Sequence, residues 1–530
     1  MPGGLMNLAS YGQQNIILNG NPSKTFFKTT YAQHTNFGLQ KFRVDYNGLR
    51  SLRLNEESVF DFKIPRYGDL LMDTYISLNL PHIWSPIYSA VGDNQSSQPY
   101  EFQWIEYIGA KMISKVSITC GNQTLQEYSG DYLLAAVQRD FSAEKKELFN
   151  RMIGHIPDLI DPLHGTGRTQ DSYPSAVYTD NALGAEPSIR GRTLYIPLNA
   201  WFSLKSQMAF PLISLQYNEL HIVLTFRPIR ELFSILDVSD VANEYPRLAP
   251  NFNKTYMQLY RFLQSPPTTQ IDDTDTEWVD RRVLWDTDIH LNCTYCFLSK
   301  EEAKLFALQE QKYLIKQVVE TKLYNITGAS KSDIKSLGMV SSMMFYFQRS
   351  DIKNRNEWSN YTNWPYANLI PSDITFNQSG GYYSTGIQSV QNVRNILVSS
   401  GLLLDGIYRE NVQPVGVYNL IEKYVRTNGN APDGLYCYHF CLNSNTHEIQ
   451  PSGAINMNRF NQVELEFLTI SPPPDSTIQT TVFCDANGAI VGTSKPTWRT
   501  YTYNFDCTIF EERINMITFV GGNCGLMFAT

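Results

Sequence analysis

Alternation of apolar and polar residues recurs along this chain, and period two is the signature of a half-buried strand. SVFDFKIP (Ser58–Pro65) alternates, and LLMDTYISLNLP (Leu70–Pro81) follows after the turn RYGD. KMISKVSITCGNQTLQEY (Lys111–Tyr128) predicts a hairpin turning at Gly121-Asn122, and TLYIPL (Thr193–Leu198) and ELHIVLTF (Glu219–Phe226) predict two further strands. Beyond residue 282 the pattern restarts with DIHLNCTYCFL, YLIKQVVETKLYNI, VSSMMFYFQRS, NILVSSGLLLDGIY, STIQTTVFCDA and INMITFVGG. Two alternating runs, YCYHFCL (Tyr436–Leu442) and QVELEFLTI (Gln462–Ile470), flank a long polar connection with a turn at Pro451-Ser452-Gly453. Helical spacing is rare. It appears in GDYLLAAVQRDFSAEKKELFNRMI (Gly130–Ile153) and in SKEEAKLFALQEQ, where Ser299 and Glu302 make a capping-box pattern.

Between about Pro228 and Arg282 the periodicity lapses, and the centre of this stretch, QSPPTTQIDDTDTEWVD, is Pro-rich and then acidic. Domain boundaries fall in such stretches. One strand-rich unit followed by another predicts an all-β protein of two tandem β-sandwiches or jelly rolls, with a few short helices and long loops. The expected division is an arm over residues 1–24, a first roll over 25–228, a junction over 229–282 and a second roll over 283–530.

Composition narrows the function. The 530 residues carry 13% aromatics, only 18% charged residues and a formal net charge of -8. A low charge fraction suits large cores and extensive subunit contacts. Acidic balance argues against wrapping nucleic acid, which needs a basic face. No run of eighteen apolar residues is present. The N-terminal MPGGLMNLASYGQQNIILNGNP lacks the basic start and apolar core of a signal peptide, so the eight Cys are expected as free thiols. Most of the seven Asn-X-Ser/Thr sequons, at Asn94, Asn122, Asn253, Asn292, Asn325, Asn360 and Asn377, are then expected to be incidental, since glycosylation needs a secretory route.

Three clusters invite a chemical reading. Cys293 and Cys296 have zinc-knuckle spacing, but no second pair completes four ligands, and i and i+3 on a strand face opposite ways. Cys437, His439 and Cys441 share one strand face, yet lie roughly 6.8 Å apart in a line and do not converge on one metal. HIPDLIDPLH offers His155, Asp158, Asp161 and His164 at spacings of three, but Pro157 and Pro162 break a continuous helix, and an ordered surface loop is expected. The following GTGRT lacks the Lys and spacing of a phosphate loop, and there is no G-x-S-x-G elbow. No catalytic, cofactor-binding or metal residue is therefore assigned.

The stretch YCYHFCLNSNTHEIQPSGAINMNRF resembles a segment of the major capsid proteins of nucleocytoplasmic large DNA viruses, which reads approximately Y-x-Y-x-F-x-L, Q-P-S-G, N-x-S-R. Tyr436, Tyr438, Phe440, Leu442, Gln450-Pro451-Ser452-Gly453, Asn456 and Arg459 match, while Asn458 replaces the usual Ser. Gly3–Phe37, Ile105–Leu133, Leu194–Phe226 with its P-L-x-x-W-F, and the C-terminal INMITFVGGNCGLMFAT resemble further blocks in the same order. MMFYFQRS lacks the Asn-His-Pro that usually precedes its strand.

The resemblance implies two tandem jelly rolls of about eight strands each. It also implies a non-enzymatic subunit of an icosahedral shell, its double jelly roll assembling into pseudo-hexameric homotrimeric capsomers. Its implied partners are neighbouring capsomers, minor capsid proteins and, indirectly, an inner membrane layer, without direct nucleic-acid contact. Its implied location is the virion, after assembly in the host cytoplasm. A non-catalytic carbohydrate-binding β-sandwich and a jelly-roll metalloenzyme are the competing classes. The first predicts saturable sugar binding and the second bound metal.

Overall fold

The computed structural model describes residues 2–88, 97–169, 172–177, 184–267, 278, 280–371, 377–379, 382–384, 388–475, 481–494 and 501–528. The first half contributes strands β1 (Phe37–Asp45), β2 (Ser58–Lys63), β3 (Leu70–Leu80), β4 (Ile113–Cys120), β5 (Gln123–Tyr128), β6 (Arg192–Pro197) and β7 (Leu220–Phe226). An eighth, β8, is His290–Leu298. They form two sheets, ordered β1-β8-β3-β6 and β2-β7-β4-β5, with antiparallel pairing throughout. Alternation sets the faces: Ser58, Phe60 and Phe62 of β2 point inward while Val59, Asp61 and Lys63 point out. Opposite them, Ile222 and Leu224 of β7 pair with Phe62 and Phe60.

The second half repeats this plan. Its strands are β9 (Gln311–Ile326), β10 (Ala329–Asp333), β11 (Met339–Arg349), β12 (Leu397–Leu404), β13 (Ile407–Tyr408), β14 (Leu435–His439), β15 (Val463–Thr469) and β16 (Phe505–Val520). The sheet orders are β9-β16-β11-β14 and β10-β15-β12-β13, which is the first-half order with eight added to each label. A closing strand, β17 (Asn523–Leu526), pairs back onto β16. The protein is therefore an all-β double jelly roll with a few short helices.

One expectation is corrected by the pairing. DIHLNCTYCFL, expected to open the second roll, supplies β8, which hydrogen-bonds between β1 and β3 of the first roll. Without it those two strands have no partner between them, so the first roll closes only after the polar stretch. That stretch is itself partly core: Phe233, Ile235 and Phe262 are buried with the first-roll residues.

The long helical pattern is also divided, into α1 (Gly130–Asp140) and α2 (Ala143–Met152). Phe141 and Ser142 between them are extended, because Ser142 stands at the N-cap of α2 and Phe141 turns aside to pack on the His447 ring, 4.7 Å between centroids. The start of α1 is fixed by Ser129, whose side chain accepts from the Tyr132 amide, and by Gly130. A Cβ on Gly130 would stand 1.9 Å from the Ala110 carbonyl oxygen, so only glycine lets this helix seat against the helical turn Ile108–Lys111 before β4. The helix α3 (Lys300–Leu308) begins at Ser299 as expected, with the Ser299 hydroxyl accepting from the Glu302 amide.

Among the described residues two large buried clusters make most of the core, beside a small third one of Leu70, Ala209 and Cys296. The larger spans the first roll and continues into Tyr313, Ile315, Met344, Tyr346, Leu435, Cys437, Phe510 and Phe519 of the second. The smaller lies inside the second roll and takes the alternate residues of the same strands: Met343, Phe345, Phe347, Tyr436, Tyr438 and Ile509. The sheet β9-β16-β11-β14 is thus covered on both faces, one by its own roll and the other by the neighbouring one.

Candidate functional site

The double coverage of that sheet decides where the sequence candidates lie. On β14, Tyr436 and Tyr438 fill the second roll, and Cys437 and His439 face the seam between rolls. Burial pushes the Cys437 thiol up to about 12 and raises Cys441 as well. His439 Nδ1 meets Glu422 Oε2 at 2.8 Å, and burial keeps its imidazole below the ordinary value. Cys293 belongs to the first-roll core and Cys296 to a separate cluster with Leu70 and Ala209, so the pair points two ways. Burial takes Cys293 up to about 12. A thiol kept protonated by burial is unreactive for as long as it stays buried.

The His155–His164 segment folds as two short turns, Pro157–Ile160 and Pro162–His164, each begun by its proline. Its four candidates do not converge on one point. His155 stacks on Tyr107 with ring centroids 3.7 Å apart, and burial lowers its imidazole to about 4. Asp158 accepts from the Thr166 amide, and His164 Nδ1 pairs with Asp161 at 2.7 Å on the surface. Among the described residues no three His, Cys, Asp or Glu side chains are grouped to hold a metal. Of the sequons, Asn360 is buried and donates to the Trp364 carbonyl, 2.8 Å away; Asn94 lies outside the described residues.

The polar chemistry sits instead at the seam. Arg139, at the end of α1, is fully buried and donates to both oxygens of Asp140 at 2.8 Å and to Glu512 Oε1 at 2.7 Å. Tyr132 donates to the same Glu512 oxygen at 2.8 Å, and Ser342 donates to the other at 2.6 Å. Burial opposes ionisation of Glu512, but Arg139 and then Lys316 outweigh it and hold the carboxyl down to about 2. The long polar loop after β14 joins this network: the Ser444 carbonyl accepts from Arg139, and the Thr446 amide donates to Asp140. The Gln450–Gly453 turn brings the loop back, with Ser452 donating to the Asn443 carbonyl at 2.8 Å.

A second buried group lies further along. Lys111 Nζ meets Asp131 Oδ1 at 2.6 Å and donates to the Trp358 carbonyl and the Tyr361 hydroxyl of the second roll. Arg227 holds the other Asp131 oxygen at 3.1 Å and lies 4.5 Å over the Trp358 ring. Sequence reasoning passed over all of these residues. The available signal was charge inside apolar runs: Asp131, Arg139 and Asp140 in α1, and FEERI, Phe510–Ile514, in β16.

The outer surface shows the complementary feature, large apolar side chains left in solvent. Residues 2–36 are almost entirely exposed, beyond the expected arm limit of 24, because regular pairing starts only at Phe37. They carry Ile16, Ile17, Leu18, Phe26, Tyr31 and Phe27, the last 98% exposed. A second group lies on the helical turns Val417–Arg426, where Leu420, Ile421 and Val425 accompany Tyr424 at 91% exposure. Patches of this kind mark association surfaces.

Comparison with known proteins agrees with this arrangement. Residues 25–262 match the family model for the major capsid protein N-terminus, and residues 302–525 match that for the large eukaryotic DNA virus major capsid protein. The chain is 24% identical to the major capsid protein of Phaeocystis pouchetii virus, over 88% of this chain and 93% of that one. It is also 24% identical to the major capsid protein of Paramecium bursaria Chlorella virus 1, over the full length of both. Among solved structures, the quasi-atomic model of the PBCV-1 virus capsid superposes with a TM-score of 0.61 at 19% identity, covering 96% of this chain and 100% of that one. The Faustovirus major capsid protein gives 0.60 at 12% identity, covering 97% and 96%. The fold is that of the double jelly-roll class, and the family models that match both halves of the chain are those of structural, non-enzymatic viral shell proteins. The chain belongs to the major capsid protein family of large eukaryotic DNA viruses, and its relatives are components of the virion.

Proposed function

We propose that this chain forms a homotrimeric capsomer of near-hexagonal outline, the repeating unit of an icosahedral shell. The observation that carries the reading is the repeated sheet order of the two rolls. Two similar wedges in one chain let three chains present six similar sides, which a closed lattice of sixfold neighbours requires. The exposed apolar side chains of the arm and of Val417–Arg426 supply surfaces for contacts within and between capsomers, and for minor capsid proteins.

The arm is taken to lie on the base of the capsomer, towards an inner membrane layer that it meets only indirectly. No direct nucleic-acid contact is proposed, in keeping with the net charge of -8. Assembly is placed in the host cytoplasm. No residue is assigned a catalytic, metal or cofactor role. We place the division between rolls at α3, between β8 and β9, rather than at residue 283. Multi-angle light scattering on the untagged protein, followed by electron microscopy, tests the assembly: a stable trimer with a three-lobed hexagonal projection is expected, and a concentration-independent monomer overturns it.

A further inference from the structure

Two buried thiols from opposite ends of the fold meet at one place. Cys120 closes β4 of the first roll, and Cys524 sits in the closing strand β17 of the second. Both belong to the larger core cluster, at 1% and 7% exposure, and the leading influence on the ionisation of each thiol is the other. The surrounding backbone fixes the approach. Cys120 faces Gln123 across the β4–β5 turn, and Gln123 Oε1 accepts from the Leu526 amide at 3.2 Å. On the other side, the Gln216 amide donates to the Gly522 carbonyl at 2.9 Å. The β16–β17 turn is thus pinned to the first roll on both flanks of Cys524.

We propose that Cys120 and Cys524 form a redox pair whose disulfide locks the closing hairpin onto the first roll, with a small-molecule disulfide such as oxidised glutathione as the oxidant. The Cys120 thiol loses its proton, and the thiolate attacks one glutathione sulfur, breaking that S–S bond and expelling a glutathione thiolate. Cys524 then loses its proton and attacks the Cys120 sulfur of the mixed disulfide, expelling the second. Two protein thiols are oxidised and one small disulfide is reduced to two thiols. Cys120 is the better first nucleophile, because the Cys524 hydrogen bond and nearby Arg66 favour its thiolate, whereas Cys524 as donor is raised. Access comes from opening of the β16–β17 turn, whose flanking Val520, Met527 and Phe528 are already exposed. The other thiols differ. Cys293 and Cys296 belong to different packing clusters, Cys507 lies inside the second roll, and Cys484 is exposed.

The test uses the full chain, reduced and then incubated with oxidised glutathione, alkylated under denaturing conditions and mapped by mass spectrometry. The exposed Cys484 should acquire glutathione and serves as the internal control. The expected result is one cross-linked peptide joining Cys120 to Cys524, two further thiols lost to alkylation, and a Tm higher by roughly 5 °C that reductant reverses. In Cys524→Ser the cross-link should vanish and glutathione should remain on Cys120. If that variant does not fold, the peptide map of the unsubstituted chain decides alone. Cys120 and Cys524 both still alkylatable after Cys484 has reacted, a persistent mixed disulfide on Cys120 in the unsubstituted chain, or a cross-link between any other pair would each overturn the proposal.

Discussion

Arg139 divides its guanidinium between the two rolls: Asp140 on its own helix, Glu512 and Ser342 on second-roll strands, and the Ser444 carbonyl in the loop after β14. A buried pair of this kind is weak evidence of net stabilisation, but removal of one member leaves a charge stranded. Arg139→Ala should therefore cost about 3–5 kcal/mol, read as a shift in the urea midpoint. The same network sets an acid limit. Glu512 is held to about 2 in the folded chain, below its unfolded value of about 4.3, so it stabilises above that unfolded value. The contribution, about 3 kcal/mol, is lost as pH falls from roughly 4.5 towards 2. Stability measured across that window should fall for the native chain and fall less for Glu512→Gln.

At the scale of elements, the strands that alternate strictly were legible because one face meets the core and the other meets water. SVFDFK and LHIVLTF show this in their burial patterns. MMFYF in β11 reads as a strand, but nothing in an unbroken apolar run says that Met344 and Tyr346 face another roll while Phe345 and Phe347 face their own. The strand β16 was read only from its C-terminal half, since Glu511, Glu512 and Arg513 look like a boundary until Arg139 appears opposite. Partners of β8 were invisible for a different reason: pairing across more than 200 residues leaves no local trace. Its placement predicts that amides of residues 291–297 exchange as slowly as those of β3 and in step with the first roll. Exchange in step with β9 alone would contradict the pairing.

On the scale of the whole molecule, the buried polar seam makes one body of two rolls, and the exposed apolar residues lie outside it. Residues 2–20 bury nothing against the rest of the chain, so their ordering has to be offset by contacts with other chains. Deleting them should leave Tm within about 2 °C of the full chain while shell formation is lost. A large fall in Tm on deletion would show that the arm belongs to the folded subunit.

The late arrival of β8 has a consequence during translation. The edges of β1 and β3 that it joins emerge from the ribosome about 250 and about 220 residues before their partner. At roughly 5–20 residues per second, that leaves two open, aromatic-bearing strand edges for roughly 12–50 s in every nascent chain. Neighbouring chains on one message offer the same β1 and β3 edges at the same time, and antiparallel pairing between them is open to any copy. Each nascent chain thus passes through a stage in which wrong partners are at hand before the right one exists, and correct folding depends on those edges staying apart until residue 298 has been made.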